Sequence, residues 1–387
     1  MDYFTVKYPS SGDKTVALED GIMEKDKPVS AGSKIMEHFI SPIGAEVADR
    51  LAARGYAVAG RTPMHEFGVP DLFSDRFETA GQTPGAVTAV AEGAAGFALT
   101  NDVFGVYRKH AAERGCCYIH PTYGTVSRYG LVPAVSSMDQ IGVVCNDLAE
   151  GFKLLSCIAG RDGKDGAMFP DTGYDYFKPA GTLKIGVPGQ IMEKTDDRSR
   201  AAVNEFIKNF ETVEMEIEYF DMARQVMYIL CCAELYGNVG RYDGIKFGHR
   251  ADNCKNLEEL YYKTRSCFGT DVKTAAIAGA MALSSDHYVR YYEKAMRTRR
   301  LVKEALTFDT YDVVVLPCAI DGGPYENLSL YAPAPLAGLP SVSFNYMGSG
   351  MQLIAGVKNE HKLLAAWKTA GINKSDNSKT RGNGVAV

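Results

Sequence analysis

No run in the sequence approaches the roughly 18 consecutive apolar residues that a membrane-spanning helix requires. The opening residues, MDYFTVKYPSSGDK, hold no apolar leader core, so a cytoplasmic protein without a membrane partner is the expectation. There is no Cys-x-x-Cys pair, and the seven histidines form no metal-ligand cluster, which argues against a structural zinc. Neither a metal nor a cofactor is expected. Positive charge is not in excess: 42 Lys and Arg stand against 47 Asp and Glu, a net charge of −5. That balance argues against direct nucleic-acid binding. The nine cysteines lack a disulfide framework: Cys116–Cys117 and Cys231–Cys232 are adjacent, and Cys145, Cys157, Cys254, Cys267 and Cys318 are scattered. An odd number without regular spacing reads as reduced thiols.

Hydrophobic residues make up 46% of the 387 positions and charged residues 23%, a soluble globular balance with enough chain for one large core or two smaller ones. Ser41-Pro42 offers an N-cap and a first-turn proline for a helix whose periodicity runs through Ile43, Val47, Leu51 and Ala52 to a stop at Gly55. The run YAVAG from Tyr56 reads as a buried strand, and the small residues from Gly85 to Gly93 suit a helix lying close on a sheet. GFALTND from Gly96 reads as another strand. Asn146 is placed to cap a helix through Leu148, Phe152 and Leu155 that ends at Gly160. LKIGVPG from Leu183 predicts a strand, Ser199 to Phe210 a helix, and the alternating VEMEIEYF from Val213 a half-exposed strand. A long helical stretch is expected over Val272 to Thr307, then strands from Tyr311, Pro340 and Gly350 and a helix from Glu360 to Ala370. This alternation predicts an α/β fold with a mixed sheet covered by helices on both faces. The expected division is a short arm over 1–14, one domain over 15–372 and a disordered tail over 373–387.

The string HPTYGTVSRYGLVPAVSSMDQIGVVCNDLAEG, from His120 to Gly151, resembles the amidase signature family, and within it the A subunits of the tRNA-dependent glutamyl-tRNA(Gln)/aspartyl-tRNA(Asn) amidotransferases. GRTPMHEF at Gly60, RYDGIKFG at Arg241, SSDHYVRYYEKAMRTR at Ser284 and LAGLPSVSF at Leu336 continue the resemblance in the family's order. It implies a single-domain α/β/α fold around a mixed, twisted sheet.

The resemblance further implies an amide-hydrolysing triad of a serine nucleophile, a second serine in a cis peptide bond and a lysine. The lysine relays a proton through the bridging serine and so activates the nucleophile, while backbone N–H groups hold the oxyanion. At those three positions this sequence reads Glu19, Gln82 and Val106. The flanking Asp102 and Arg108 fit the nucleophile turn and set the register, while Phe104 stands where a glycine would let the turn close around an oxyanion. Valine has no nucleophilic atom, glutamine is a poor proton relay, and glutamate reverses the charge of the lysine. The pocket implied by the resemblance departs as well. Thr274 stands in the step that would carry a carboxylate-gripping arginine, and Leu328 at an aspartate position that would receive an amino group. Asp102, Phe104, Gly105, Arg108, Tyr228, Thr274 and Leu328 are thus the candidates to line the old cleft, although Tyr228 with Met227, Leu230 and Cys231 also reads as a core-facing helix stripe.

Plainer readings stand beside the sharper ones. Cys116 and Cys117, with His110 and His120 near them, form a candidate Cys–His acyl-transfer pair or simply buried core thiols. Glu19 and Asp20 are an acid–base or cation-binding pair, or separately solvated carboxylates. Asp102 and Arg108 are a functional ion pair or a brace for their turn. The basic stretch from Arg290 to Lys303 is an RNA contact or a solvated helix face. The expected function is a catalytically inactive amidase-like scaffold or binding subunit, partnered by an amidotransferase B-subunit-like or A-subunit-like protein. The alternatives are an active amidohydrolase or amidotransferase subunit with a non-standard site, and a small-molecule sensor that keeps the cleft.

Overall fold

The computed structural model describes residues 3–10, 12, 14–70 and 84–372. Gln82 and the expected tail over 373–387 lie outside the described residues. The strands are β1 (Val6–Lys7), β2 (Thr15–Glu19), β3 (Ala57–Thr62), β4 (Phe97–Asn101), β5 (Cys117–His120), β6 (Ile141–Cys145), β7 (Lys184–Pro188), β8 (Glu211–Met215), β9 (Val313–Pro317), β10 (Ser341–Tyr346) and β11 (Ser349–Ala355). They form one sheet in the order β1-β3-β2-β4-β6-β5-β10-β11-β9-β7-β8. The sheet is mixed: β2 runs parallel to both β3 and β4, β7 runs parallel to β8 and β9, and the remaining pairs are antiparallel.

The helices are α1 (Glu46–Ala53), α2 (Gly85–Ala91), α3 (Val106–Glu113), α4 (Leu148–Ile158), α5 (Gly189–Met192), α6 (Asp197–Ile207), α7 (Phe220–Val239), α8 (Leu257–Arg265), α9 (Thr270–Leu283), α10 (Lys294–Ala305), α11 (Pro324–Tyr331), α12 (Pro333–Ala337) and α13 (Glu360–Thr369). Strand periodicity sends alternate side chains to opposite faces. Val16 and Leu18 join Leu51, Phe152, Phe206 and Trp367 under α1, α4, α6 and α13. Ala17 points the other way, to Ala86, Val90, Tyr107 and Ala111 of α2 and α3. A further apolar cluster joins α7, α9 and α10 to the loop before α3 and to α11. The expected mixed α/β sheet with helices on both faces is therefore what the chain forms.

Four local expectations are corrected. Asp147, not Asn146, caps α4, its Oδ1 accepting the Glu150 N–H at 3.0 Å; Asn146 instead donates to Val90 O at 3.0 Å and ties α2 to α4. Ser41 does not open α1, because its hydroxyl donates to Ile43 O at 2.8 Å in a local turn and the helix starts at Glu46. The alternation over VEMEIEYF forms a strand only to Met215; Ile217 is fully buried, Tyr219 turns the chain at φ +62°, and Phe220 begins α7. The long helix expected over 272–307 divides, since α9 stops at Leu283, where Ser284 takes an extended conformation and its Oγ donates to Met281 O at 2.7 Å. The break lets both α9 and α10 pack on α7.

Candidate functional site

The site sits at the carboxyl ends of the parallel strands β2 and β4. Glu19 is the last residue of β2, Asn101 is the last of β4, and Asp102 leads into the turn that opens α3. Asp102 shapes that turn. Its Oδ1 accepts the Tyr107 N–H at 3.3 Å and its Oδ2 the Arg108 N–H at 2.9 Å, two first-turn donors of α3 that the helix cannot satisfy itself. Gly105 sits at φ +83°, and a Cβ there would lie 2.2 Å from the Tyr331 ring, so only glycine fits.

Arg108 is fully buried. Its Nε lies 3.1 Å from Asp102 Oδ2, Nη1 donates to Tyr331 O at 3.1 Å and to Gln352 Oε1 at 3.3 Å, and the guanidinium lies 5.1 Å from the Tyr331 ring centroid. The pair therefore links the turn to α11 and β11. A buried charge needs this degree of pairing to be tolerated.

Glu19 is 1% exposed. Its Oε2 accepts the Asn101 N–H at 2.7 Å, and its Oε1 lies 2.5 Å from the Tyr107 hydroxyl. Burial pushes its carboxyl up to about 8; the hydrogen bonds from Tyr107 and Asn101 oppose the rise, and the nearby charges of Asp102 and Asp20 add to it. Asp20 turns elsewhere, to Arg61 Nε at 2.9 Å and to the Ser30 hydroxyl. The two adjacent carboxyls thus have separate partners. Among the described residues there is no group of three or more His, Cys, Asp or Glu placed to hold a metal ion.

Val106, half-buried, opens α3 and packs against the same apolar cluster that contains Val103, Phe104 and Leu328 and that Tyr228 also borders. Phe104, Leu328 and Tyr228, three of the cleft candidates read from sequence, thus share one apolar wall, with Gly105 beside them. Thr274 does not join it; its hydroxyl donates back to Thr270 O at 2.8 Å along α9, and Ala275 supplies the buried contact. Cys116 and Cys117 are both buried but point to opposite sides of the sheet: Cys116 packs with α2 and α3 and its thiol lies 3.4 Å from Asn146 Oδ1, while Cys117 faces the opposite core. His110 Nδ1 is 3.0 Å from Glu113, and His120 is buried with Nδ1 lacking a hydrogen-bond partner among the described residues. In the basic stretch Arg299 turns inward, to Leu336 O and Ser137 Oγ, whereas Arg297 and Arg300 pair with Glu293 and Glu304 on their own helical surface.

Sequence reasoning missed Asn101, Tyr107 and Tyr331, which hold Glu19 and Arg108 in place, and Arg224 and Tyr325 at the edge of the wall. Tyr107 had a visible signal, since it lies between Val106 and Arg108 in the turn already singled out. Tyr331 had none, being brought to Gly105 only by the fold.

The amidase family model matches residues 80–364. The A subunit of glutamyl-tRNA(Gln) amidotransferase from Lachnoclostridium phytofermentans is 34% identical over 365 residues, which span 85% of this chain and 74% of that protein. The same subunit of Macrococcus caseolyticus is 33% identical over 390 residues, 90% of this chain and 81% of that protein. Among solved structures, the glutamyl-tRNA(Gln) amidotransferase A subunit of Thermotoga maritima matches with a TM-score of 0.70 at 24% identity, over 90% of this chain and 80% of its own. Peptide amidase from Stenotrophomonas maltophilia matches with a TM-score of 0.72 at 22% identity, over 95% and 82%. These structures share the fold.

Proposed function

This chain belongs to the amidase signature family, and from that premise we propose that it is an A-subunit-like protein that binds through its cleft and does not hydrolyse amides. One observation carries the reading: the helix α3, whose first residue would present the nucleophile, begins with Val106, and its side chain packs into an apolar wall. A valine offers no atom to attack a carbonyl, and the adjoining Phe104 takes up space beside it. Glu19 supports the same reading. With a carboxyl raised to about 8 it carries its proton at neutral pH and cannot accept another, so it does not replace a base. Gln82, at the third expected triad position, lies outside the described residues.

Relatives at 33% and 34% identity are A subunits of a glutamyl-tRNA(Gln) amidotransferase. The reading therefore includes a partner chain, an amidotransferase B-subunit-like or A-subunit-like protein, in the cytoplasm. Among the described residues no helix is long and apolar enough to cross a membrane.

The test is ammonia release by the folded, purified protein from glutamine, asparagine and a panel of simple amides. The expected rate equals the protein-free background. A protein-dependent rate that survives repurification overturns the proposal and returns the Cys116, Cys117 and Glu19 alternatives to the front.

A further inference from the structure

Two blocks that carry the family resemblance meet outside the cleft wall. Arg128 of the string from His120 and Arg241 of RYDGIKFG line one pocket of about 400 Å³, together with Ile43 from the segment before α1 and Lys164 from the loop after α4. Phe104, Val106, Tyr228 and Leu328, which wall the cleft, do not line it. Met23, Ile43, Leu131 and Pro133 give the pocket an apolar lining, and its volume falls in the range of small-molecule sites.

The charged side chains around it are three cations and two carboxylates, Asp139 and Asp165. Most are already engaged within the fold. Arg128 binds both oxygens of Asp165, at 2.8 and 2.7 Å, and its Nη1 donates to the Tyr123 hydroxyl and to Ser136 O. Lys164 reaches Glu46 Oε2 at 2.6 Å, and its Nζ lies 4.9 Å from the Tyr129 ring centroid. Asp139 accepts from the Ala134 and Val135 N–H groups and from Asn101 Nδ2. Arg241 differs. Its Nε donates to Asn238 O at 2.9 Å and its Nη2 to Asn238 Oδ1 at 2.8 Å, which fixes the guanidinium just past the end of α7. Unlike Arg128 and Lys164, it has no carboxylate partner among the described residues. The helix-end carbonyl carries only part of a negative charge, and the exposed guanidinium keeps N–H donors for an outside acceptor.

We infer that this pocket binds a small amphipathic monoanion, with its apolar body on Ile43, Leu131 and Pro133 and its single anionic head on Arg241. One cation in excess matches one negative charge, and a second charge on the ligand would meet Asp165. The apolar lining rewards removal of the body from water. Room for that body remains beside Gly166, where a Cβ would meet nothing within 4 Å. The site does not depend on what the cleft does.

The probes are anilinonaphthalene sulfonate, an apolar body with one sulfonate, and phenylnaphthylamine, the same body without it. Each is titrated by fluorescence into the folded full chain. The sulfonate is expected to saturate one site, and the neutral amine to bind about fivefold more weakly, the upper end of what a solvent-exposed ion pair contributes. Added salt should weaken the sulfonate alone. Arg241→Gln should bring the sulfonate down to the affinity of the amine, Arg241→Lys should keep most of the difference, and Gly166→Trp should block both probes by filling the pocket. Equal affinities for the two probes, or no saturable binding, overturn the site. So does sulfonate binding that Arg241→Gln leaves unaltered. If Arg241→Gln lowers the melting temperature, Gly166→Trp decides alone, since it touches no bond of the arginine: lost binding upholds the pocket, and retained binding places the probe elsewhere and overturns it.

Discussion

Replacing Arg108 with methionine is expected to destabilise the protein by about 3–5 kcal/mol, the cost of leaving a buried partner charge uncompensated. Asp102 would lose the guanidinium 3.1 Å away while remaining 2% exposed, and Tyr331 O and Gln352 would lose the donor that joins them. Asp102→Asn should cost less, because an amide oxygen still accepts an N–H from the turn. The double variant should be less damaging than the sum of the two, since each single change strands what the other removes. Urea unfolding of the three variants measures this. A loss under about 1 kcal/mol for Arg108→Met, below the range for breaking a buried pair, or strict additivity, would show that the pair does not brace the turn. The brace acts on backbone geometry and does not depend on a nucleophile. That is why the turn can keep its Asp and Arg with valine at its centre.

The signals that could be read along the chain are those made by neighbours in sequence. The small residues of α2 lie buried against the strands as their size suggested. Asp102 and Arg108, six residues apart, were legible as a pair for the same reason. Misreadings came where two local choices were nearly equal. Asn146 and Asp147 are both good caps, and tertiary contact with Val90 decided between them. VEMEIEYF alternates like a strand throughout, yet a turn at Tyr219 ends the pairing early. Partners distant in sequence were not legible at all: Tyr107 reaches Glu19 across 88 residues, and Arg108 reaches Gln352 across 244. The identity of Glu19 was visible, but its protonation state was not, because that depends on burial and on which donors the fold brings to it.

Glu19 should make the protein lose stability as pH rises from about 4.5 to about 8. Its carboxyl titrates near 4.5 in an ordinary setting and near 8 in the fold, so between those values the folded chain binds a proton that the unfolded chain has released. The stabilising contribution of the protonated form is complete below about 4.5, falls through the window and is exhausted above about 8. Each tenfold change in proton affinity is worth about 1.4 kcal/mol, so the whole effect is on the order of 5 kcal/mol. The other titratable groups facing it are Tyr107, Tyr118, Asp102 and Asp20. Comparing Glu19→Gln with the unmodified chain isolates Glu19 from them. The glutamine Oε1 can accept the Asn101 N–H and its Nε2 can donate to the Tyr107 hydroxyl, so the variant should match the unmodified chain near pH ~4 and exceed it by several kcal/mol near pH ~9. Unfolding curves across that range read the difference directly. Parallel curves would mean that Glu19 is already ionised at neutral pH. It would then be a buried carboxylate free to accept a proton, and the case for a hydrolase with an unorthodox base would reopen. Diverging curves would make Glu19 a neutral pin between β2, β4 and α3, a group that already holds its proton where the resemblance implies a lysine that accepts one.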